Sequence, residues 1–242
     1  LLGVQMAEFY LVGGAVRDLL LGLPVKDYDY AVECESYDAM RDAIVERGGK
    51  TFVETPEYLT IRAIDMTGDI TGLPNMATDF VMCRKDGEYV DGRRPETVTP
   101  GTLHDDLSRR DFTINAIAYR IKTNETVDLY EGVDDIRKKR IKTVGNAEER
   151  FGEDALRLMR AVRLAAELNF MIESETMAGI IAKSALLQKI AIERVSSEFV
   201  KLINSTVPMQ GIVLLEKLGL QDYILPELRE AMGCEQGGIH AY

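Results

Sequence analysis

The chain has little of the chemistry that marks several common protein classes. It contains no tryptophan, only two histidines and only three cysteines. Because the cysteines, Cys34, Cys83 and Cys234, are odd in number and widely spaced, they fit neither a disulfide framework nor a zinc site, and we expect them to be reduced and structural. No segment approaches the roughly 18 apolar residues of a membrane span, and no basic and apolar leader precedes the first predicted strand. We therefore expect a cytoplasmic protein without a membrane partner.

Charge is present in abundance but is unevenly distributed. The net charge is −11, which argues against a broad nucleic-acid surface, since phosphate binding relies on Lys and Arg. Residues 137–163 nevertheless hold nine basic and four acidic side chains. A compact basic stripe on an acidic protein is compatible with a local anionic ligand, and less so with a long non-specific duplex footprint.

Apolar periodicity divides the chain into an α/β first part and a helical second part. Strands are predicted over 8–12, 27–33, 50–54, 58–64, 77–83, 116–121 and 126–129. Helices are predicted over 15–21 and 36–47, and loops rich in Gly, Pro, Asp and Thr over 65–75 and 85–102. From about residue 146 no further strand is predicted, and the apolar spacing is helical over 153–169, 173–182, 191–204 and 209–218.

The first chemical motif is a strand, a glycine turn, a helix and a second strand. Gly13 and Gly14 let the backbone approach a ligand, and the helix N-terminus after them favours phosphate. Asp27 and Asp29 are two apart on the second predicted strand, so both side chains are predicted to leave one face. Either part alone is weak, and an Asp-x-Asp pair is more often a solvated strand edge. Their combination, with Arg17 between them, favours a nucleotide and metal site.

A second cluster covers residues 105–118. Its apolar members, Phe112, Ile114 and Ile117, can anchor it to a core. The polar side chains that stay available for other contacts are Arg109, Arg110, Asp111 and Asn115. A guanidinium is a fixed multidentate donor, so an arginine beside a carboxylate pair suits a triphosphate. Taken alone, the cluster fits a surface salt-bridge network equally well.

A third cluster covers residues 153–163. On a predicted helix Asp154 and Arg157 are three apart and adjacent, with Arg160 and Arg163 following along the same helix. A carboxylate that accepts from an exocyclic amine, beside a guanidinium that donates to a ring nitrogen or carbonyl, suits cytosine and adenine and rejects uracil and guanine. An ordinary intrahelical ion pair is the alternative, and the spacing alone favours it.

Together and in this order, the three clusters, with residues 79–84 and 192–199, closely resemble the class II tRNA nucleotidyltransferase and bacterial poly(A) polymerase family. Within it the chain is most similar to bacterial CCA-adding enzymes. The resemblance implies a head with a polymerase-β-like nucleotidyltransferase fold, a mixed sheet plus helices, over 1–140. An all-α neck for base recognition over 141–204 and the start of a helical body over 205–242 would follow. The last residues resemble the start of an HD-type domain, so we expect part of a longer protein.

The resemblance assigns roles by position in the first part of the chain. Asp27 and Asp29 match the catalytic magnesium ligands of the family. The residues that hold the incoming nucleotide match Gly14 and Arg17, and the triphosphate-binding arginine matches Arg110.

In the helical part, Asp154 and Arg157 match the pair that reads the Watson–Crick edge of CTP or ATP. Arg160 and Arg163 match further nucleotide contacts. A third acidic metal ligand is often needed, and Asp79, on a strand that could lie beside Asp29, is our candidate for it.

The implied function is Mg²⁺-dependent transfer of CMP or AMP from CTP or ATP to a tRNA 3′ end without a nucleic-acid template. Poly(A) polymerase, CC-adding and A-adding activities are alternatives within the family. An RNA-binding module with an inactive site and a nucleotidyltransferase acting on a small molecule are alternatives outside it.

Overall fold

The computed structural model describes residues 7–87 and 97–227, in two compact units. The first unit consists of residues 1–138 and 142–145, and the second of 139–141 and 146–242. The chain therefore passes between the units in the segment where the sequence places a boundary at 140. The expected start of an HD-type domain and Cys234 lie outside the described residues, whereas Cys34 and Cys83 are free thiols.

The first unit is built on a mixed sheet. Its strands are β1 (Glu8–Val12), β2 (Asp29–Glu33), β3 (Gly49–Thr55), β4 (Thr60–Asp65), β5 (Met76–Met82), β6 (Arg84–Asp86), β7 (Val98–Pro100), β8 (Ile117–Arg120) and β9 (Glu125–Asp128). Its helices are α1 (Gly14–Leu21), α2 (Tyr37–Glu46), α3 (Leu103–Ser108) and α4 (Gly132–Arg137), with 3₁₀ turns at Pro56–Tyr58 and Thr113–Asn115.

Seven strands form the main sheet in the order β3-β4-β5-β2-β1-β8-β9, as far as the described residues show. Only the β2–β5 pair is parallel among these neighbours; the others are antiparallel. Central strands are buried on both faces, so they read as nearly continuous apolar runs. Phe9 on β1 contacts Phe80 on β5 edge to face, with ring centroids 5.8 Å apart. This core holds the ends of β2 and β5 in a fixed register.

The predicted loop over 65–75 is ordered by one buried carboxylate. Asp65 accepts hydrogen bonds from the amides of Gly68, Ile70 and Thr71, and from the Thr71 hydroxyl, at 2.7–3.1 Å. Burial opposes ionisation of Asp65, but these donors outweigh it and keep the pKa of its carboxyl below the usual value.

Several predicted boundaries in this unit are wrong. The strand predicted from residue 27 begins at Asp29, because the Thr78 hydroxyl binds the Tyr28 carbonyl in place of a regular ladder contact. The predicted loop over 85–102 contains strand residues, since β6 pairs with β7. Residues 88–96 lie outside the described residues. Helix α3 follows, started by a capping box in which Thr102 and Asp105 bind each other's backbone amides.

The second unit is mainly helical. Its helices are α5 (Ala147–Glu153), α6 (Leu156–Leu168), α7 (Ser174–Lys183), α8 (Ile192–Ile203), α9 (Pro208–Lys217) and α10 (Gln221–Ile224), with a 3₁₀ segment at Ser184–Lys189. The prediction that strands stop at residue 146 is wrong, because β10 (Arg140–Ile141) pairs in parallel with β11 (Met171–Ile172). A strand of two residues is too short to produce a periodic signal.

Helix α6 is the centre of the second unit. Leu156, Met159 and Val162 all point into its core, and at most 8% of each residue is exposed. The helix predicted over 153–169 corresponds to α6, which begins three residues later than predicted, because the Asp154 backbone is extended (φ −143°, ψ 104°) between α5 and α6. Helix α5 was not predicted. The Asp154 carboxylate accepts from the Leu156 amide at 3.0 Å, which favours this break over a continuous helix.

We expect Asp65→Ala to destabilise the protein by about 2 to 4 kcal/mol, since several amide donors would lose their acceptor inside the protein. Urea unfolding would measure the change. Asp69→Ala, an exposed aspartate of the same loop, should change the unfolding free energy by no more than about 0.5 kcal/mol. Equal effects of the two substitutions would contradict this account of the loop.

Candidate active site

Three aspartates meet where the start of β2 lies beside the middle of β5. Asp29 lies opposite Asp79 in the parallel ladder, and Asp27 precedes Asp29 in the segment held by the hydrogen bond from Thr78 to Tyr28. They face an open cleft of about 350 Å³. The cleft is lined by Lys26, Asp27, Tyr28, Asp29, Arg62, Met76, Ala77, Thr78 and Asp79.

The cleft concentrates negative charge. The pKa of Asp29 is raised, first by partial burial and then by the neighbouring carboxylates of Asp79 and Asp27, while Arg110 opposes the rise. Asp29 nevertheless remains accessible to solvent. A bound cation would relieve the repulsion between these carboxylates.

The donors in the cleft fit a hard cation that also binds phosphate. Mg²⁺ is commonly held by one or two carboxylates together with substrate phosphates, which is what Asp27 and Asp29 offer. Across residues 7–87 and 97–227, no group of three or more His, Cys, Asp or Glu side chains is arranged to hold a metal. Asp79 instead accepts from Arg62 Nε and Nη2 at 2.7 and 2.9 Å. Its role as a third ligand remains a prediction.

Two arginine side chains lie beside the glycine turn at the start of α1. Gly13 has φ 74° and ψ −140°, and no side chain caps the helix there. A Cβ on Gly13 would lie 3.0 Å from Arg110 Nη1, and one on Gly14 would lie 3.4 Å from Arg17 Nη2. Gly13 therefore needs to be glycine because of its positive φ, and the turn brings a helix N-terminus and two guanidinium groups together.

Both arginines are held by protein acceptors. Arg17 contacts Asp18 Oδ1 through Nε (2.8 Å) and Nη2 (2.7 Å), and donates from Nη1 to Asn115 Oδ1 at 2.8 Å. Arg110 donates from Nη2 and Nε to Asp106 Oδ2 at 2.8 and 3.2 Å. A guanidinium has five N–H donors, so these contacts orient each arginine and leave donors for a ligand.

Asp106 belongs to the cluster over residues 105–118 as the partner of Arg110, although the sequence motif alone does not single it out. Its side chain is 2% exposed and binds Arg109 as well as Arg110. Burial opposes its ionisation, but Arg110 and Arg109 outweigh that cost and hold the pKa of its carboxyl below the usual range. The sequence left open that residues 105–118 form only a surface salt-bridge network. That alternative is wrong in one respect, because the carboxylate that accepts from both arginines is buried. The sequence does contain a signal for these pairs, since Arg109 and Arg110 follow Asp106 by three and four residues, the spacing of side chains that meet on a helix.

In the second unit, Asp154 and Arg157 do not share a helix as predicted. Asp154 precedes α6 and forms an ion pair with Arg194 at 3.3 Å, while its carbonyl accepts from the Arg157 amide at 3.0 Å. Arg157 Nη1 donates to Glu153 Oε2 at 2.6 Å and to the Arg150 carbonyl at 2.9 Å. The Asp154 carboxylate accepts from the Leu156 amide and from Arg194, two partners that an ordinary intrahelical pair with Arg157 does not include.

The two later arginines of α6 differ in their surroundings. Arg163 is tied to Glu198 and Glu167 at 2.5 Å each, and Lys201 binds the same Glu198 at 3.1 Å. Burial opposes ionisation of Glu198, yet Arg163 and Lys201 keep the pKa of its carboxyl below the usual value. Arg160 lies half-buried one turn earlier. Arg163 thus already stabilises the contact between α6 and α8.

Comparison with known proteins places these features in one family. Residues 9–142 match the poly A polymerase head domain, and residues 169–232 match the probable RNA and SrmB- binding site of polymerase A. The chain therefore belongs to the poly A polymerase head-domain family, and the resemblance seen in the sequence is confirmed. The expected fold class, a mixed sheet with helices followed by a helical part, is also confirmed.

The relatives of this chain include curated CCA-adding enzymes. That of Levilactobacillus brevis is 41% identical over 217 residues, 89% of this chain and 51% of the relative, and that of Geobacillus thermodenitrificans is 41% identical over 224 residues, 92% and 52%. The chain thus spans about half the length of the curated relatives it matches. None of the helices within the described residues is long and apolar enough to cross a membrane.

Solved structures agree with the sequence relatives. The Bacillus stearothermophilus CCA-adding enzyme in complex with CTP is 34% identical with a TM-score of 0.75, covering 90% of this chain and 50% of that one. A tRNA nucleotidyltransferase complexed with a primer tRNA and an incoming ATP analog is 28% identical with a TM-score of 0.72, covering 90% and 59%. Nucleotidyltransferases of this kind generally use divalent metal ions.

Asp106→Asn should lower the unfolding free energy at neutral pH by about 3 kcal/mol or more, since two arginines would lose a buried counter-charge. The folded pKa of Asp106 is lowered, so its stabilisation is present above the ordinary carboxyl pKa and is lost as the pH falls through the lowered value. Chemical denaturation from pH 7 to pH 3 would measure this.

The difference between the unsubstituted protein and Asp106→Asn should therefore shrink below about pH 4. Asp38→Asn, an exposed aspartate on α2, serves as the control and should show no such trend. A stability gap for Asp106→Asn that stays constant across this pH range would refute the role given to the buried charge.

Proposed function

We propose that this protein is a Mg²⁺-dependent RNA nucleotidyltransferase that adds CMP and AMP from CTP and ATP to a tRNA 3′ end without a nucleic-acid template. The observation that supports this most strongly is that a positively charged group of arginines and a negatively charged group of aspartates lie close together in the first unit. The arginines at the Gly13–Gly14 turn suit a triphosphate, and Arg110 lies near enough to Asp29 to oppose the rise in the pKa of that carboxyl. A triphosphate and the cation that accompanies it would therefore bind side by side. A reaction on tRNA is expected in the cytoplasm.

The chain's own residues would act mainly by position and charge. Gly14 and the α1 N-terminus would receive phosphate oxygens, and Arg17 and Arg110 would neutralise the charge of the departing pyrophosphate. Asp27 and Asp29 would hold Mg²⁺, which supplies an acidified 3′ hydroxyl and a counter-charge for the phosphates.

The base would be selected by the second unit. We assign Asp154 as the acceptor for an exocyclic amine and Arg157 as the donor, and we keep Arg160 and Arg163 as further nucleotide contacts. Support comes from the partners of the first two, since Arg194 contacts the Asp154 carboxylate and Glu153 contacts the Arg157 guanidinium, and these contacts orient both side chains. The curated relatives are CCA-adding enzymes, which favours tRNA as the acceptor.

An acceptor assay distinguishes the remaining possibilities. Protein would be incubated with tRNAs that end before, within or after CC, with each nucleotide in turn, and the products sized. Addition of CCA in order supports the proposal, whereas repeated AMP addition, CC alone or a single A would indicate poly(A), CC-adding or A-adding activity. No magnesium-dependent product on any RNA would favour an inactive RNA-binding module. Labelling of a small molecule would favour a nucleotidyltransferase that acts on small molecules.

Asp27→Ala and Asp29→Ala should each reduce nucleotide incorporation at least 1,000-fold, since about 4 kcal/mol of transition-state stabilisation disappears with the metal ligand. Single-turnover incorporation with Mg²⁺ would measure it. Asp42→Ala replaces an exposed aspartate on α2. It is the matched control and should retain activity. Full incorporation by either site variant would exclude the metal role.

Combined Asp154→Ala and Arg157→Ala should reduce the preference for CTP and ATP over UTP and GTP by about tenfold or more, because the base edge loses its donor and acceptor. Ratios of kcat/KM for the four nucleotides would measure it, and Mg²⁺ dependence should be unchanged. The exposed pair Glu216→Ala and Lys217→Ala on α9 is the control. Unchanged selectivity would remove these residues from base reading.

A further inference from the structure

Asn115 is buried between the two arginines of the glycine turn. It is 7% exposed and ends the 3₁₀ turn Thr113–Asn115. Its Oδ1 accepts from Arg17 Nη1 at 2.8 Å, and its main-chain oxygen lies 3.5 Å from Arg110 Nη1. One residue therefore contacts both guanidinium groups that flank Gly13 and Gly14.

The orientation of the Asn115 amide is determined by Asp111. The Asn115 Nδ2 donates to Asp111 Oδ1 at 3.1 Å, and the same oxygen accepts from the Phe112 amide at 2.8 Å. A carboxylate accepts only and a guanidinium donates only, so the amide nitrogen must face Asp111 and the oxygen must face Arg17.

The turn that carries Asn115 is itself held firmly. The Thr113 hydroxyl donates to the buried Asp135 at 2.7 Å, and the Asp111 carbonyl accepts from the Val144 amide at 3.1 Å. A Cβ on Gly132 at the start of α4 would lie only 2.2 Å from the Thr113 carbonyl oxygen, so α4 packs directly on the turn. Asn115 thus presents its amide from a rigid support.

We propose that Asn115 is a positioning residue that orients Arg17 and sets its spacing from Arg110 for the triphosphate, an inference that rests on the proposed function. Asp18 holds the Nε and Nη2 side of Arg17, and Asn115 holds its Nη1 side. Without Asn115 the guanidinium is anchored on one side only and loses its orientation. A pre-organised arginine binds phosphate more tightly than a mobile one, because less conformational entropy is lost on binding.

The test is a double-mutant cycle between Asn115→Ala and Arg17→Ala on the protein that contains this chain. Dissociation constants for CTP, inorganic triphosphate and CMP would be measured with Mg²⁺, together with unfolding midpoints. We expect Asn115→Ala to weaken CTP and inorganic triphosphate about tenfold, and CMP less than twofold. In the Arg17→Ala background, Asn115→Ala should cause no further loss, since its effect passes through Arg17.

Two further variants separate positioning from general loss of stability. Asn124→Ala replaces another asparagine of the first unit, at a positive φ of 58°, so it should lower stability without changing the CTP dissociation constant. Asn115→Ser is used if Asn115→Ala does not fold. Its hydroxyl keeps a polar atom but is too short to reach Arg17, so we expect the same loss of triphosphate binding.

Normal triphosphate binding by both Asn115 variants, or an equal loss in the Arg17→Ala background, would overturn the inference and leave the proposed function intact. Failure of the unsubstituted protein to bind CTP would overturn both.

Discussion

A buried carboxylate with two arginine partners organises the first unit. Asp106 is almost fully enclosed, and a charge can remain in such a place only if it is paired and hydrogen-bonded. Arg109 and Arg110 provide that pairing, and the constraint is mutual, because the arginines cannot turn away without leaving the carboxylate unpaired. Arg110 is thereby kept against Gly13 and close to Asp29. The glycine turn and the acidic cleft are thus connected through one ion cluster.

Much of the first unit can be predicted from sequence because its strands are long enough to show a pattern. Strands β1 and β3 to β5 lie within two residues of their predicted bounds, and the Ser36-capped helix α2 is also close to its prediction. Helices α3 and α4 were missed, since six residues give less than two turns of apolar spacing. The start of α6 was placed at residue 153 instead of Leu156, because apolar spacing does not reveal that the Asp154 side chain accepts from the Leu156 amide and ends the preceding helix.

The residues of the candidate site fall into two groups: those that a short sequence motif reveals, and those that only the folded chain brings close. Asp27, Asp29, Gly14 and Arg17 could be selected because they occur within one strand, turn and helix motif. The partners that orient the site residues could not be selected in this way, because they are distant in sequence. Asn115 lies 98 positions from Arg17, and Arg194 lies 40 positions from Asp154. Arg62 was likewise invisible as the partner of Asp79, because that pair depends on the alignment of β4 with β5. Side chains that orient catalytic groups therefore emerge only with the fold.

The central claim is that the glycine turn and its arginines receive a triphosphate beside the Asp27–Asp29 pair. An experimental structure of the protein with CTP and Mg²⁺ tests this most directly. The account predicts β- and γ-phosphate oxygens within hydrogen-bond distance of Arg17, Arg110 and the backbone amides at Gly14, with the metal coordinated by Asp27 and Asp29. A triphosphate bound away from this turn, or a metal that coordinates neither aspartate, would contradict it.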